Sequence, residues 1–270
     1  MRASPTWGLA VLVTTALVGC STLLPPASPT LDETLLTLYS SDAAHTIVIN
    51  LAQHYKTVQS GLLLETPATS HARLYSQLLE GSISHFVTLD LPNSQPTLWA
   101  APLAQTGMAL VVHRENPIES LTLDELRRIY LGNVTTWLEV DGLPIPIVLY
   151  SREEGADSRA EFDRLVMGNR RTSPNALVVS SSDAALASVR TDISAIAYLP
   201  FADITPDIKI LKINNIPLST ASLQNNVYPL RSTVYIVGLD EPTGDLREFV
   251  AWIQSDEGQG NLEFAVPLSR

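Results

Sequence analysis

The most informative stretch of the chain is residues 144–168 (PIPIVLYSREEGADSRAEFDRLVMG), in which an arginine, Arg152, is followed six residues later by a serine, Ser158. An apolar strand is predicted over residues 145–150. The chain then passes Arg152 and enters a predicted helix, with Ser158 as its N-cap and Gly168 at its end. An anion at such a helix start meets unpaired N–H groups, and arginine adds a planar pair of donors. The stretch therefore indicates an oxyanion site.

The alternative interpretation of this segment is an ordinary strand-to-helix turn. In that case Arg152 is solvated or pairs with one of the two carboxylates that follow it, Glu153 and Glu154. Helix N-termini are common and anion sites are few, so the local sequence leaves both interpretations open.

Composition narrows the class of protein. The chain has 270 residues, of which 45% are hydrophobic and 17% charged, so it can bury a sizeable core. Its net charge of -11 argues against binding to nucleic acid, because phosphate backbones attract clusters of Lys and Arg. The five histidines have no metal-ligand spacing, and motifs of hydrolases, metalloproteases and P-loop proteins are absent from the sequence. We expect neither an enzyme nor a cofactor or metal ion.

The N-terminus indicates export. An apolar run over residues 7–18 suits a signal peptide and is short for a membrane span, so residues 1–19 are predicted to be cleaved. The sequence LVGC, ending at Cys20, resembles the bacterial lipoprotein cleavage box, which implies lipid on Cys20. The alternatives are an uncleaved anchor or a plain secretory signal. Residues 20–34, rich in Pro, Ser and Thr, are predicted to be a tether.

The remainder of the chain alternates strand and helix signals, which predicts an α/β fold. A capping box at Thr122 and Glu125 and a stop at Gly132 delimit one helix. Strands are expected near residues 35–39, 61–65, 85–89, 108–113, 193–199 and 228–238, and helices near 44–55, 71–80, 183–190 and 245–255.

Four motifs occur in order along this part of the chain: LTLDELRRIYLGNVTTW at 121–137, Arg152-x-x-Gly155-x-x-Ser158-Arg159 followed by Phe162, DISAIAYLPFADI at 192–204, and YPLRSTVYIVG at 228–238. With these motifs the chain resembles the phosphate-binding lipoproteins of bacterial ABC importers, a branch of the two-lobed, type II periplasmic-binding-protein superfamily. The resemblance implies two lobes joined by crossing strands, with a ligand cleft between them. We expect residues 35–110 and 229–270 in lobe one and residues 111–228 in lobe two.

The same resemblance implies a set of ligand-binding residues. In it, Arg152 neutralises the anion, while serines and loop N–H groups donate hydrogen bonds. Asp90 accepts the proton of protonated phosphate and so discriminates against sulfate. The full set is Ser41, Asp42, Ser70, Asp90, Arg152, Gly155, Ala156, Asp157 and Ser158.

Two carboxylates depart from the family pattern. Asp42 stands where a hydroxyl is expected, and Ala156-Asp157-Ser158 replaces a Ser-Gly-Thr type loop. A carboxylate about 5 Å from a bound anion costs roughly 3 kcal/mol at an effective dielectric constant near 20. This is about a hundredfold in affinity, unless Arg73 or Arg159 offsets it.

The resemblance implies a monomeric solute-binding lipoprotein that captures phosphate or a similar oxyanion for an ABC permease. Its predicted location is outside the cytoplasm, either on the outer side of the cytoplasmic membrane or in the periplasm or outer membrane. The alternative is a ligand-free interaction or sensing module, whose closed cleft is held by Arg152 with Asp157 or Asp42.

Overall fold

The computed structural model describes residues 34–91 and 98–268. The predicted signal peptide over residues 1–19 and the predicted lipid site at Cys20 lie outside these residues, as does the predicted tether except for Thr34. Within the described ranges, no helix is long and apolar enough to cross a membrane.

The strands occur along most of the described chain. Their bounds are β1 Thr34–Thr37, β2 Tyr39–Ser41, β3 Leu62–Glu65, β4 Ala68–Thr69, β5 His85–Thr88, β6 Trp99–Val112, β7 Ser120–Leu121, β8 Val148–Arg152, β9 Leu177–Val179, β10 Ala195–Pro200, β11 Lys209–Ile213 and β12 Arg231–Gly238.

The helices alternate with these strands, as the sequence predicts. Their bounds are α1 His45–Val58, α2 His71–Leu79, α3 Leu123–Tyr130, α4 Asp157–Phe162, α5 Ser182–Thr191, α6 Thr220–Gln224, α7 Gly244–Gln254 and α8 Asp256–Gly260. Short 3₁₀ turns occupy Trp137–Val140 and Phe201–Asp203, and a π-helical turn, Asp163–Met167, continues α4.

Amphipathic spacing explains the longer helices. In α1 the buried residues recur every three to four positions, which gives one apolar face. The buried face of α7 includes the predicted Leu246, Phe249, Val250 and Ile253. In α3 the predicted capping box forms, with the Thr122 hydroxyl accepting from the Glu125 N–H at 3.1 Å.

Most described strands belong to one mixed sheet. Its main order is β4-β2-β5-β12-β6-β10-β8-β9, with β11 paired to β6 and β7. Strand β2 runs parallel to β4 and β5, and β8 runs parallel to β9 and β10. A separate parallel pair joins β1 to β3.

The long strand β6 connects two hydrophobic cores. Leu103 and Ala104, in its first half, pack in a core with α1 and α7. Residues 108–112, in its second half, pack in a core with α3 and α5. The division into two lobes at residues 35–110 with 229–270 and at residues 111–228 stays a prediction.

Several local expectations are wrong: strand β6 begins at Trp99, nine residues before the expected residue 108, and β12 begins at Arg231, three residues after the expected residue 228. Strand β8 begins at Val148, not at residue 145, because Ile145 and Ile147 are committed to backbone bonds with Trp137 and Thr135. Helix α4 is capped by the extended backbone of Ala156, so Ser158 lies inside the helix. Helix α5 begins at Ser182, one residue before the expected start at residue 183, and is capped by Ser181, whose hydroxyl accepts from the Ala184 N–H at 3.1 Å.

Candidate functional site

Polar residues end three strands of the main sheet. Ser41 ends β2, Thr88 ends β5 and Arg152 ends β8. Because β2 and β5 are parallel neighbours, Ser41 and Thr88 lie at the same edge of the sheet. The carboxyl ends of strands are the usual place for ligand sites in α/β folds.

The carboxylate of Asp157 lies at the centre of this edge. Its Oδ2 accepts the Ser41 hydroxyl, the backbone N–H of Leu89 at 3.2 Å and, more weakly, the Thr88 hydroxyl at 3.5 Å. Its Oδ1 accepts the N–H of Ser158 at 3.0 Å. Only 1% of Asp157 is exposed to solvent. We call Ser41, Thr88 and the Leu89 N–H the donor cradle, because all three point at one buried oxyanion.

Arg152 is buried and already paired. Its Nε and Nη2 each donate to the Glu153 carboxylate at 3.1 Å, and Nη2 also reaches Asp42 Oδ2 at 3.5 Å. A further bond of 3.2 Å joins Nη2 to the carbonyl of Ser180. Only 2% of Arg152 is exposed. The structure therefore contains the Arg152–Glu153 pair that the alternative interpretation of this segment included.

These ion pairs shift the pKa values of their members. Burial alone would lower the pKa of Arg152, but the hydrogen bonds and charge of Glu153, with help from Asp42, raise it above its ordinary value. Burial would raise the pKa of Glu153, and the bonds from Arg152 lower it overall. For Asp42, burial outweighs the attraction of Arg152 and raises the pKa. Arg152 therefore stays charged among its own carboxylates.

The backbone of Arg152 is held from behind. Tyr198 accepts the Arg152 N–H at 3.0 Å, and Arg159 Nη1 donates to the Arg152 carbonyl at 3.1 Å. Arg159 also donates to the Ser151 hydroxyl at 2.9 Å and to Asp163 at 2.8 Å. Arg159 thus supports the end of β8 instead of facing the donor cradle. Arg73, the other arginine considered in the sequence, is exposed on α2.

Ser158 places an unused hydroxyl beside Asp157. The residue is 1% exposed, and its Oγ has no hydrogen-bond partner among the described residues. A buried polar group without a partner costs about 1–3 kcal/mol. The hydroxyl is therefore available to an additional acceptor.

The loop after β8 docks on the start of α2. The carbonyl of Gly155 accepts the Ala72 N–H at 3.1 Å, which satisfies one of the free donors of the first turn of α2. Gly155 has a φ of +89°, and a Cβ there would lie 2.9 Å from the Cβ of Ala72. Ser70 is the N-cap residue of α2, and Ala156, which caps α4, is 2% exposed.

Asp90 lies in a neighbouring pocket. Its Oδ2 is 3.8 Å from Nε2 of His71, whose Nδ1 is hydrogen-bonded to the Thr88 hydroxyl at 2.9 Å. The pocket has a volume of about 310 Å³, and Glu161 and Arg164 line its other side. Burial raises the pKa of Asp90, against the attraction of His71. Asp90 is thus linked to the donor cradle through His71 and Thr88.

A second pocket, of about 320 Å³, lies beside the Arg152 ion pairs. Asp42, His45 and Asp203 line it, together with the start of α5. Asp203 accepts from Thr46 Oγ1 at 2.8 Å and from Ser182 Oγ at 2.6 Å, and burial raises its pKa. Across residues 34–91 and 98–268, no group of three or more His, Cys, Asp or Glu side chains is placed to hold a metal ion.

Several of the predicted residues come together, and some partners were not foreseen. Ser41 contacts Asp157, and Asp42 contacts Arg152. The Thr88 hydroxyl and the Leu89 N–H were missed in the sequence. Thr88 was detectable, because it is a hydroxyl residue at the end of a predicted strand, next to the expected Asp90.

Known proteins share this architecture. Residues 70–257 match the family model described as the PBP superfamily domain. The phosphate-binding protein PstS of Bacillus subtilis (strain 168) is 22% identical over 233 residues, which span 84% of this chain and 77% of that protein.

Two solved structures have a similar fold. A Clostridium perfringens protein with bound phosphate, provisionally described as a phosphate ABC transporter substrate-binding protein, superposes with a TM-score of 0.81 at 23% identity, over 87% of this chain and all of the other. An ABC-type phosphate transport receptor from Vibrio cholerae gives a TM-score of 0.69 at 23% identity, over 84% of this chain and 96% of the other. The matches confirm the expected two-lobed α/β fold.

Proposed function

The chain belongs to the PBP superfamily, and we propose that it is a solute-binding protein that captures an oxyanion, phosphate foremost, between its lobes. The observation that carries the proposal is the donor cradle, in which two hydroxyls and one backbone N–H converge on a buried oxyanion, here the carboxylate of Asp157. The names of the relatives, which are phosphate-binding proteins and receptors, support phosphate as the first solute to test.

In this proposal each side chain has a distinct role. The donor cradle and the unpartnered Ser158 hydroxyl donate to the oxygens of the anion. Arg152 supplies positive charge from a position that is fixed by Tyr198 and Arg159. The resemblance assigns to Asp90 the role of accepting the phosphate proton and disfavouring sulfate. Asp90 lies beside the cradle, 3.8 Å from His71, which is hydrogen-bonded to Thr88. Ser70 and Gly155 place the first turn of α2 against the loop after β8.

We also propose a cellular location, a partner and an oligomeric state for the protein. Cleavage before Cys20 and attachment of several acyl chains would hold the protein stably at a membrane surface outside the cytoplasm. The protein would deliver its solute to an ABC permease as a monomer. These three points depend on the sequence features of the N-terminus and on the named relatives.

The ion pairs of Arg152 favour a second candidate function. Nε and Nη2 of Arg152 are engaged by Glu153, Asp42 and the Ser180 carbonyl, so the charge that would attract an anion is compensated from within the chain. A protein of this kind would act as a ligand-free interaction or sensing module and would recruit a partner instead of carrying a solute.

Calorimetric titration of the full chain, freed of endogenous anions, distinguishes the two candidates. The proposal predicts micromolar binding of phosphate with no heat from sulfate. Arg152→Ala should abolish that binding and leave the circular dichroism spectrum unchanged, whereas Arg114→Ala, at an exposed arginine, should bind as the wild type. A folded wild-type chain that ignores phosphate would favour the second candidate.

A further inference from the structure

We propose that Asp157 is an intramolecular ligand, whose carboxylate occupies the anion position and holds the cleft closed in the absence of solute. The inference rests on the proposed function, because it identifies what the anion must displace. It makes Asp157 the residue that sets the affinity of the site.

The contacts of Asp157 cross between two separate parts of the chain. Its acceptor oxygen lies at the start of α4, whereas the three donors of the cradle lie at the end of β2 (Ser41), at the end of β5 (Thr88) and directly after β5 (Leu89). The side chain therefore bridges the same two parts that a solute in the cleft would bridge. A bridging ligand is what shifts a hinged protein toward its closed state.

Two further contacts join the same parts of the chain. The Gly155 carbonyl accepts the Ala72 N–H at 3.1 Å, and Arg152 pairs with Asp42 at 3.5 Å. Neither contact uses the Asp157 side chain. Both should weaken if the cleft opens, so each reports closure independently of the bonds that Asp157 makes.

Electrostatics decides whether Asp157 and an anion can be bound together. Asp157 is 1% exposed, and its Oδ2 already takes the three donors of the cradle. A phosphate that used those donors would place its charge within a few ångströms of the carboxylate. At an effective dielectric constant near 20, this repulsion corresponds to about a hundredfold or more in affinity. Solute capture therefore requires that the Asp157 side chain leaves the cradle.

The matched variants are Asp157→Ala, Asp157→Asn and Glu154→Ala, all in the full chain. Asp157→Ala removes the intramolecular ligand, together with the Oδ1 acceptor of the Ser158 N–H in the first turn of α4. Asp157→Asn keeps the shape and removes the charge. Glu154→Ala removes one exposed carboxylate from the same loop and controls for the change in net charge.

Two readouts are needed. The first is the affinity for inorganic phosphate by calorimetry, where Asp157→Ala should bind about a hundredfold more tightly than wild type and Glu154→Ala within about twofold of it. The second is hydrogen exchange of the Ala72 amide without phosphate. Its exchange should accelerate at least about tenfold in Asp157→Ala and slow again when phosphate is added, because the Gly155 bond reforms as the cleft closes. The Leu126 amide, bonded to Thr122 within α3 at 3.0 Å, should not change.

The outcomes separate this inference from the proposed function. Equal, tight phosphate binding by wild type and Asp157→Ala, with unchanged Ala72 exchange, would overturn the inference and leave the proposed function standing. Faster Ala72 exchange in Asp157→Ala without phosphate binding by any folded variant would support the intramolecular ligand and contradict phosphate capture. Absence of both effects would overturn both.

Discussion

The carboxylate of Asp157 accepts the hydroxyl of Ser41, a residue 116 positions earlier in the chain. Asp157 begins α4, whereas Ser41 ends β2, so this hydrogen bond fastens the loop after β8 to the edge of the sheet. Both residues are almost completely buried. The donor cradle thus holds a carboxylate of the protein itself.

Ser41→Ala should destabilise the fold. The change removes a donor from a buried carboxylate, and a buried acceptor left without its partner costs about 1–3 kcal/mol. Denaturant unfolding of wild type and variant measures this difference. Ser76→Ala, at an exposed helix position, should change the free energy of unfolding by less than about 0.5 kcal/mol.

The loss in Ser41→Ala should also depend on Asp157. In an Asp157→Ala background the carboxylate is absent, so Ser41→Ala should cost much less there. The same cost in both backgrounds would mean that the Ser41 hydroxyl stabilises the fold through another contact.

Glu153→Gln should increase the affinity for phosphate. Glu153 takes two of the hydrogen bonds of Arg152, each of 3.1 Å, and compensates its charge together with Asp42. Removing the Glu153 charge leaves more positive potential at the end of β8. We therefore expect the affinity for phosphate to increase about tenfold. Calorimetry with phosphate measures it, with Glu154→Gln as the neighbouring control. A weaker affinity than wild type would show that Glu153 positions Arg152 for the anion.

Gly155→Ala should open the contact with α2. The glycine has a φ of +89°, which an L side chain rarely adopts, and its new Cβ would meet the Cβ of Ala72 at 2.9 Å. We expect a loss of about 1–3 kcal/mol in the free energy of unfolding.

Gly81→Ala is the matched control for that variant. Gly81 has a φ of +73° but nothing within 4 Å of its added Cβ, so it measures the backbone cost alone. Equal losses in the free energy of unfolding at the two positions would show that the contact between Gly155 and Ala72 contributes nothing to stability.

The fold was predictable from the sequence because its signals are local. The capping box of α3, the apolar face of α7 and the short buried strands each follow from the spacing of a few residues. The start of β8 was predicted wrongly because Ile145 and Ile147 read as strand while their backbones bond to residues 137 and 135, which periodicity does not reveal.

The site was less predictable, because its key contacts are distant in sequence. The pattern identified Asp157 as a residue that departs from the family, but not that its carboxylate would meet Ser41, Thr88 and the Leu89 N–H. A backbone donor such as Leu89 has no signature in the sequence. The roles of the nine predicted ligand residues stay predictions until a solute is observed.

Asp203→Asn should change how stability depends on pH. Burial raises the pKa of Asp203, so the folded state prefers the protonated carboxyl. That preference stabilises the fold below the ordinary pKa of aspartate, and the benefit is lost as the pH rises through the raised value of the folded state. The variant should therefore gain stability relative to wild type between pH 4 and pH 7. Thermal melts of both proteins at pH 4 and pH 7 measure this difference. The same difference between variant and wild type at both pH values would contradict the raised pKa of Asp203.

The most direct test of the account is a crystal structure of the full chain grown with phosphate. The account predicts phosphate bound to Ser41, the Leu89 N–H, Ser158 and Arg152, with the Asp157 carboxylate turned out of the donor cradle. A structure at millimolar phosphate in which Asp157 keeps its bonds to Ser41 and Leu89, with no anion in the cleft, would contradict it.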